Sequence, residues 1–362
     1  MKTNNQQKNR VLFCGGGTLG PVTPLLAVLR RMREVRPDLE FSWIGTAQGP
    51  EAPLVEGEGV GFHALPVAKV ARYPDKSWFT FPFDYLKART EAKRLLEGIM
   101  PKAVFSAGGF MQVPIIRLAS KMGIPCAVHQ LDYTPLLSNK AVAGKCELLT
   151  ASFDYPSPQF GGVKAIRVAT PCRFANVPTP SREAAAAEFG FDPEKPIVFV
   201  TGGGTGAISL NEAIAGILDG LPEKTQVIHL TGKGKMGDTL ARDGYRPYEF
   251  FNEIQMLNAY CASDLVVSRA GFGALSELAS LGKPTIAIPL PNSPQEENIR
   301  ALGDSIVSVH QGTGFAENLK QQISRLLDDS STREKLGRSL RQKLPTDDGR
   351  ELAERWLGLI DR

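Results

Sequence analysis

The chain has 362 residues, more than a single hydrophobic core usually serves, and 42% hydrophobic with 22% charged residues is ordinary globular composition, so two domains are expected. A net charge of +4 is too small to point to a nucleic-acid partner. Cys14, Cys126, Cys146, Cys172 and Cys261 are scattered, odd in number and never form C-x-x-C, which argues against a disulfide framework or zinc ribbon and fits a reducing cytoplasm.

The polar first nine residues lead straight into an apolar strand, Val11-Leu12-Phe13-Cys14, rather than a signal-type apolar region, and no run reaches the length needed to span a bilayer. The glycine turn Gly15-Gly16-Gly17-Thr18-Leu19-Gly20 follows, and Thr23 with Pro24 reads as N-cap and first helical position before Leu25, Leu26, Val28, Leu29 and Met32. Strand-like runs recur at 41–44, 103–106, 126–129 and 163–168 between helix-like stretches, the βαβ signature of a parallel sheet. A polar, proline-bearing segment from Pro171 to Arg182 interrupts this pattern.

Alternation restarts at Ile197-Val198-Phe199-Val200 and runs into a second turn, Gly202-Gly203-Gly204-Thr205-Gly206-Ala207, after which Ser209 and Glu212 have capping-box spacing before Ile214, Ile217 and Leu218. Further strands are expected at 227–230, 265–268 and 285–289. The stretch 331–362 reads as charged amphipathic helix with Leu336, Leu340, Leu352, Trp356 and Leu359 as its apolar contacts. The fold expected is α/β: two Rossmann-like parallel-sheet domains facing a central cleft, at 1–170 and 171–340, with a helix at 341–362 placed to pack back on the first.

A run without Cβ atoms lets backbone N–H groups converge, and a helix start adds orphan donors and a positive dipole end, so each turn is suited to an anion. The alternative is a glycine turn that merely closes a βα corner. Two such turns in two halves imply two ligands.

The run Ser268-Arg269-Ala270-Gly271-Phe272-Gly273-Ala274-Leu275-Ser276-Glu277-Leu278-Ala279, with Gly282-Lys283-Pro284, Ile288-Pro289-Leu290 and Gln295-Glu296-Glu297-Asn298, resembles the nucleotide-sugar motif of the MurG-type peptidoglycan N-acetylglucosaminyltransferases of glycosyltransferase family 28. Gly16-Gly17-Thr18 with Pro24, Gly108-Gly109-Phe110, His129 with Asn139-Lys140, Pro171 with Arg173, Gly202 to Asn211 and Gly232-Lys233-Gly234 extend the likeness from about residue 11 to residue 325. The resemblance implies an inverting enzyme of the GT-B fold. It would move N-acetylglucosamine from UDP-N-acetylglucosamine to an undecaprenyl-diphosphate-linked muramoyl-pentapeptide, giving lipid II at the cytoplasmic membrane face. No cofactor is implied, and the chain has no D-x-D motif for a divalent cation.

By this resemblance Glu277 accepts from both ribose hydroxyls, although a first-turn acid also complements a helix dipole. Phe272, Gly273, Ala274, Leu275 and Ser276 offer helix N-terminal amides to the diphosphate, with Arg173 or Arg269 stabilising the departing charge. Gln295, beside Glu296, aligns with a glutamine on the sugar hydroxyls, and Phe251 with the segment whose backbone reads uracil. Thr18, Leu19 and Gly20 in the first turn, and Gly204 and Thr205 in the second, complete the substrate-binding set.

Three departures stand out. Pro21 replaces the histidine that ends the family's first motif. Gly204 and Thr205 replace serine and glutamine, which spares backbone contacts only. In the family's His-Glu-Gln-Asn this chain has His129, Gln130, Leu131 and Asp132, so Asp132 becomes the candidate base, with His129 the second catalytic candidate. A turn or cap aspartate, and a satisfied core histidine, are their structural alternatives.

Between Lys69 and Arg94, the aromatic residues Tyr73, Trp78, Phe79, Phe81, Phe83 and Tyr85 interleave with Arg72, Lys76, Lys87, Arg89, Lys93 and Arg94. Trp78, Phe79, Phe81 and Phe83 with this cationic rim suit an anionic membrane surface, or else form the core side of a helix-turn-helix. A transferase with another lipid acceptor, a UDP-sugar-binding protein without catalysis, and a UDP-N-acetylglucosamine epimerase are the competing readings.

Overall fold

The computed structural model describes residues 9–66, 77–155, 157–237 and 241–361, and only the backbone of 77–82, 84, 157 and 158. Contacts divide the chain into two compact units, Met1–Pro171 with Asp348–Arg362, and Cys172–Asp347.

In the first unit, β1 (Arg10–Cys14), β2 (Glu40–Thr46), β3 (Gly61–Leu65), β4 (Ala103–Ser106), β5 (Cys126–Gln130), β6 (Leu148–Ala151) and β7 (Ile166–Arg167) form a sheet ordered β3-β2-β1-β4-β5-β6-β7. Every pairing in it is parallel. Helices α1 (Val22–Val35), α2 (Ala52–Gly57), α3 (Ser77–Ile99), α4 (Gln112–Lys121) and α5 (Leu137–Val142) make the crossovers, and a two-residue strand, β8 (Thr170–Pro171), lies against α1.

Successive strand residues point to opposite faces, and because both faces are covered the central strands are apolar throughout. Leu12, Cys14, Val104 and Val128 pack with Leu96, Ile115 and Ile116 from α3 and α4. Phe13 stacks on Trp43 at 5.8 Å between ring centroids and meets Phe105 edge-on at 5.7 Å.

The second unit opens with α6 (Arg182–Ala187). Strands β9 (Ile197–Thr201), β10 (Gln226–Leu230), β11 (Tyr245–Tyr248), β12 (Leu265–Arg269), β13 (Thr285–Ile288) and β14 (Val307–Ser308) then form a parallel sheet ordered β11-β10-β9-β12-β13-β14. Around it lie α7 (Ile208–Ile217), α8 (Glu253–Ala262), α9 (Phe272–Leu281), α10 (Pro294–Leu302), α11 (Phe315–Asp328) and α12 (Ser330–Lys343), and β15 (Thr346–Asp347) ends the unit. Val198, Val200, Val267 and Ile286 pack on Leu210, Ile214, Leu319 and Ile323. Phe199 meets Tyr260 and Phe251 at 5.4 and 6.1 Å between ring centroids.

The chain then returns to the first unit as α13 (Arg350–Ile360), packed on α1, where Trp356 is fully buried and stacks on Phe105 at 4.5 Å and 13°. The expected continuous helix of 331–362 is therefore two helices with different partners.

Two expected caps are corrected. Helix α1 begins at Val22 with Pro21 at the cap, and Thr23 lies inside the helix, its hydroxyl donating to the Leu19 carbonyl at 3.4 Å. Helix α7 is capped at Ala207 without a side-chain bond, and the Ser209 hydroxyl instead donates to Gln311 Oε1 at 2.5 Å. The capping box of this unit is at α8, between Asn252 and Gln255.

Candidate functional site

Strand order in the second unit reverses between β9 and β12, and ligands of open parallel sheets bind beyond the carboxyl ends of strands at such a point. Thr201, the last residue of β9, is one residue past Val200 and pairs with Ser268 on β12, so the turn 202–206 and residues 270–272 leave the sheet side by side. Helix α9 starts after Gly271 with no side-chain cap, and its ladder begins with Leu275 N–H donating to Gly271 O at 3.1 Å. A first turn without a side-chain acceptor keeps its donor character and dipole end for an anion. Phe272, Gly273, Leu275 and Ser276 are buried and Ala274 is half-buried, while the Ser276 hydroxyl donates to Gly273 O at 2.8 Å.

Backbone crowding fixes the second glycine turn. Gly206 has φ +68°, and a Cβ there would stand 2.2 Å from the Thr231 carbonyl oxygen, so only glycine fits against the 231–232 backbone. Lys235 Nζ donates to Thr205 O at 2.8 Å, and Asn211 Nδ2 donates to Thr231 O and Lys235 O, both at 3.0 Å. Gly204 and Thr205 are left exposed at the tip.

Glu277, in the second turn of α9, is 4% exposed. Arg173 Nε donates to its Oε1 at 2.9 Å and the Tyr260 hydroxyl donates to Oε2 at 3.1 Å. Burial raises the Glu277 pKa, and Arg173 and Tyr260 pull it back only in part. Arg173 also reaches Glu253 at 3.5 Å and lies over the Phe174 ring at 4.7 Å. Arg269, half-buried at the end of β12, donates to the carbonyls of Ile288 and Pro289 at 3.4 and 3.3 Å, and burial lowers its pKa. Gln295 Oε1 accepts from Leu290 N–H at 2.9 Å, and its amide nitrogen is turned toward Gly271. Glu296 is half-buried in the first turn of α10. Phe251 is buried among Phe189, Phe199 and Tyr248, directly before the α8 cap.

In the first unit Thr18 is exposed and Leu19 and Gly20 are half-buried, and Leu19 O accepts from Val22 and Thr23 N–H at 3.1 Å. His129 is fully buried, with Nδ1 3.0 Å from Thr150 Oγ1 and Nε2 3.2 Å from Ser152 Oγ, and burial pushes its pKa down to about 3. Both ring nitrogens are spent on hydroxyls beside the neighbouring strand β6, so the imidazole is a held interior group. Asp132 is half-buried on the loop after β5. Its backbone carbonyl accepts from Gln130 Nε2 at 2.8 Å and from the Tyr155 hydroxyl.

Sequence reasoning missed the chain of amides behind that loop. Gln112 Nε2 donates to Asn139 Oδ1 at 2.5 Å, Asn139 Nδ2 to Gln130 Oε1 at 2.6 Å, and Gln130 Nε2 on to the Asp132 and Thr134 carbonyls. It also missed Glu51, whose fully buried carboxyl meets the first glycine turn. For Gln112, Gln130 and Asn139 the only signal is an amide beside apolar residues, and Glu51, in the turn Gln48-Gly49-Pro50-Glu51, carries none.

The side chains of Trp78, Phe79 and Phe81 lie outside the described residues, although the backbone there begins α3. Phe83 is 75% exposed, and Phe110 and Leu137, on the loops before α4 and at the start of α5, are exposed as well. Among the described residues no helix is long and apolar enough to cross a membrane.

Two parallel Rossmann-like sheets, with glycine turns and helix starts at the carboxyl ends of their central strands, define a protein of the GT-B class. The profile described as glycosyltransferase family 28 N-terminal domain matches residues 11–148, and that described as its C-terminal domain matches 197–346. A curated relative from Lachnoclostridium phytofermentans, named UDP-N-acetylglucosamine--N-acetylmuramyl-(pentapeptide) pyrophosphoryl-undecaprenol N-acetylglucosamine transferase, is 34% identical over 89% of this chain and 92% of its own. One of the same name from Bifidobacterium adolescentis is 32% identical over 98% of both. The chain belongs to glycosyltransferase family 28. Among solved structures, Acinetobacter baumannii MurG superposes with a TM-score of 0.71 at 21% identity, covering 97% of this chain and 99% of that one, which supports the fold.

Proposed function

We propose that this protein is an inverting hexosyltransferase of peptidoglycan synthesis that moves N-acetylglucosamine from UDP-N-acetylglucosamine to the undecaprenyl-diphosphate-linked muramoyl-pentapeptide, converting lipid I to lipid II. The observation that carries the reading is identity of 32–36% to curated transferases of that activity, over 78–98% of the chain. In this reading the second unit takes the donor. The ribose hydroxyls use acceptor capacity left on Glu277, since a carboxylate offers about four lone-pair sites and two protein donors reach it here. The α9 amides of Phe272, Gly273 and Ala274 receive the diphosphate, and Arg269 and Arg173 add positive charge as UDP departs, without a metal ion. Gln295 and Glu296 address the sugar, the backbone at Phe251 the uracil, and Gly204 and Thr205 the facing side of the diphosphate.

The first unit takes the acceptor, with Thr18, Leu19 and Gly20 as binding residues. Asp132 accepts the proton of the attacking sugar hydroxyl as its oxygen bonds to the anomeric carbon and the bond to UDP breaks, which inverts that centre. His129 supports the β5 end from inside the sheet. The protein works as a peripheral enzyme on the inner face of the cell membrane, drawn to anionic lipid by the segment bearing Trp78, Phe79, Phe81 and Phe83.

Radiolabelled UDP-N-acetylglucosamine mixed with lipid I and protein, with and without EDTA, tests the reading. Lipid II formed equally in both is the expected product. Transfer only to other lipids, or UDP binding without turnover, would replace it with the competing assignments, and loss of activity in EDTA would remove the metal-free step. Equal flotation of the wild type and a triple serine variant at Trp78, Phe79 and Phe81 on phosphatidylglycerol vesicles would remove the membrane surface.

A further inference from the structure

The first glycine turn already holds a carboxyl group, and it belongs to the chain. Glu51 is 0% exposed. Its Oε1 accepts from the Thr46 backbone N–H and hydroxyl, both at 2.6 Å, and the Gly17 N–H donates to both carboxyl oxygens at 3.2 Å. Among the described residues no lysine or arginine pairs with it, so its partners are neutral donors. Glycines make the space: a Cβ on Gly16 would stand 2.0 Å from Oε1, and one on Gly49 1.9 Å from Oε2. The turn is fixed on either side too, by Trp43 Nε1 donating to Gly15 O at 2.8 Å and by the first turn of α1 donating to Leu19 O.

The sequence pattern suggests that these glycines cradle a ligand's phosphate, but the donors of residues 17 and 46 are spent on Glu51. We propose that Glu51 is a positioning residue for acceptor use: its carboxylate latches the turn so that Thr18, Leu19 and Gly20 are presented in one conformation before the lipid-linked sugar arrives. This rests on the acceptor reading above for its kinetic consequence, whereas the latch itself does not. A preset loop spares the complex the entropy of ordering it. All of these contacts are made within the first unit, so the effect falls on the substrate that unit takes.

Glu51→Gln keeps an acceptor oxygen for Thr46 but sets its amide NH2 against the Gly17 N–H, and Glu51→Ala leaves a donor-lined hole the size of a small carboxylate. In steady-state transfer, Glu51→Gln lowers kcat/KM for the lipid acceptor by about 10–100-fold, the range expected when a buried donor loses its acceptor, while KM for UDP-N-acetylglucosamine stays within about twofold. Formate replacing chloride at fixed ionic strength raises the melting temperature of Glu51→Ala but not of the wild type, and restores part of its acceptor kcat/KM. If Glu51→Gln does not fold, formate-loaded Glu51→Ala supplies the kinetics.

Wild-type constants in Glu51→Gln, or equal losses for both substrates, overturn the positioning role. Absence of any formate effect on Glu51→Ala melting overturns the latch. A wild type inert toward lipid I would instead sink the functional reading, and the formate titration would still decide the latch.

Discussion

Arg173→Ala is the most informative single change in the second unit. Arg173 and Glu277 are 9% and 6% exposed at their side chains and meet at 2.9 Å, so the substitution leaves a buried carboxyl facing only the Tyr260 hydroxyl. Removing one partner of a buried ion pair costs about 3–5 kcal/mol, because the survivor stays desolvated. At about 2–4 °C per kcal/mol for a unit of this size, the expected fall in its melting temperature is roughly 6–20 °C. Trp43, Trp78 and Trp356 are the chain's only tryptophans and all belong to the first unit, so scanning calorimetry read beside tryptophan fluorescence separates the transitions.

The pH dependence is the sharper part of the test. Burial raises the Glu277 pKa above its unfolded value, so the folded state holds this proton to higher pH and the group opposes folding as pH rises through the folded value. Without Arg173 two of the influences lowering that pKa vanish and it climbs further. The penalty of Arg173→Ala is then larger at alkaline than at acid pH, because a protonated Glu277 buries no lone charge. A shift below about 1 kcal/mol, or one equal at acid and alkaline pH, would refute the buried-pair argument.

Three further outcomes follow from the same physics. His129 and His229 are buried with folded pKa values down to about 3 and about 4, below the unfolded 6.5, so stability is complete above 6.5 and falls by about 1.4 kcal/mol per pH unit for each as pH drops below it; His129→Asn removes one of the two slopes, seen in melting temperature against pH. Trp356→Ala opens a cavity between α13 and the first sheet and costs about 3–5 kcal/mol, measured as loss of the transition followed by Trp43 fluorescence at lower temperature. Gly206→Ala drives a methyl group into the Thr231 carbonyl and weakens UDP binding by roughly tenfold, about 1.4 kcal/mol, in isothermal calorimetry; an unchanged Kd in a folded variant would take the second turn out of the donor site.

Strands such as β1, β9 and β12 were legible in the sequence because burial on both faces makes them continuous apolar runs. Edge strands were not. In β3, Gly61–Leu65, and β11, Tyr245–Tyr248, partial exposure mixes polar with apolar residues, and Pro247 fits an edge but reads as a break. At the opposite edge, the expected strand over 163–168 pairs only at Ile166–Arg167. Thr23 and Ser209 looked like caps because composition shows which residues could cap, not where the backbone enters the helix.

The same limit governs the site. Glycine turns and the run around Glu277 are local, so they were readable. That Glu51 meets Gly17, 34 residues away, or that Gln112, Asn139 and Gln130 form one chain of amides, is decided by the fold and left no periodic trace. His129 was a catalytic candidate through the motif it shares with the family, while its place at the end of an apolar strand pointed to the core; only the register of β5 against Thr150 on β6 shows where its nitrogens go.

The return of the chain to its first unit bears on how the protein is made. The surface of Phe13 and Phe105 that Trp356 covers is translated early, but its cover is translated only after the entire second unit, which at about 5–20 residues per second is a wait of roughly 10–35 s. Through that interval the nascent first unit carries an uncovered aromatic face on the ribosome.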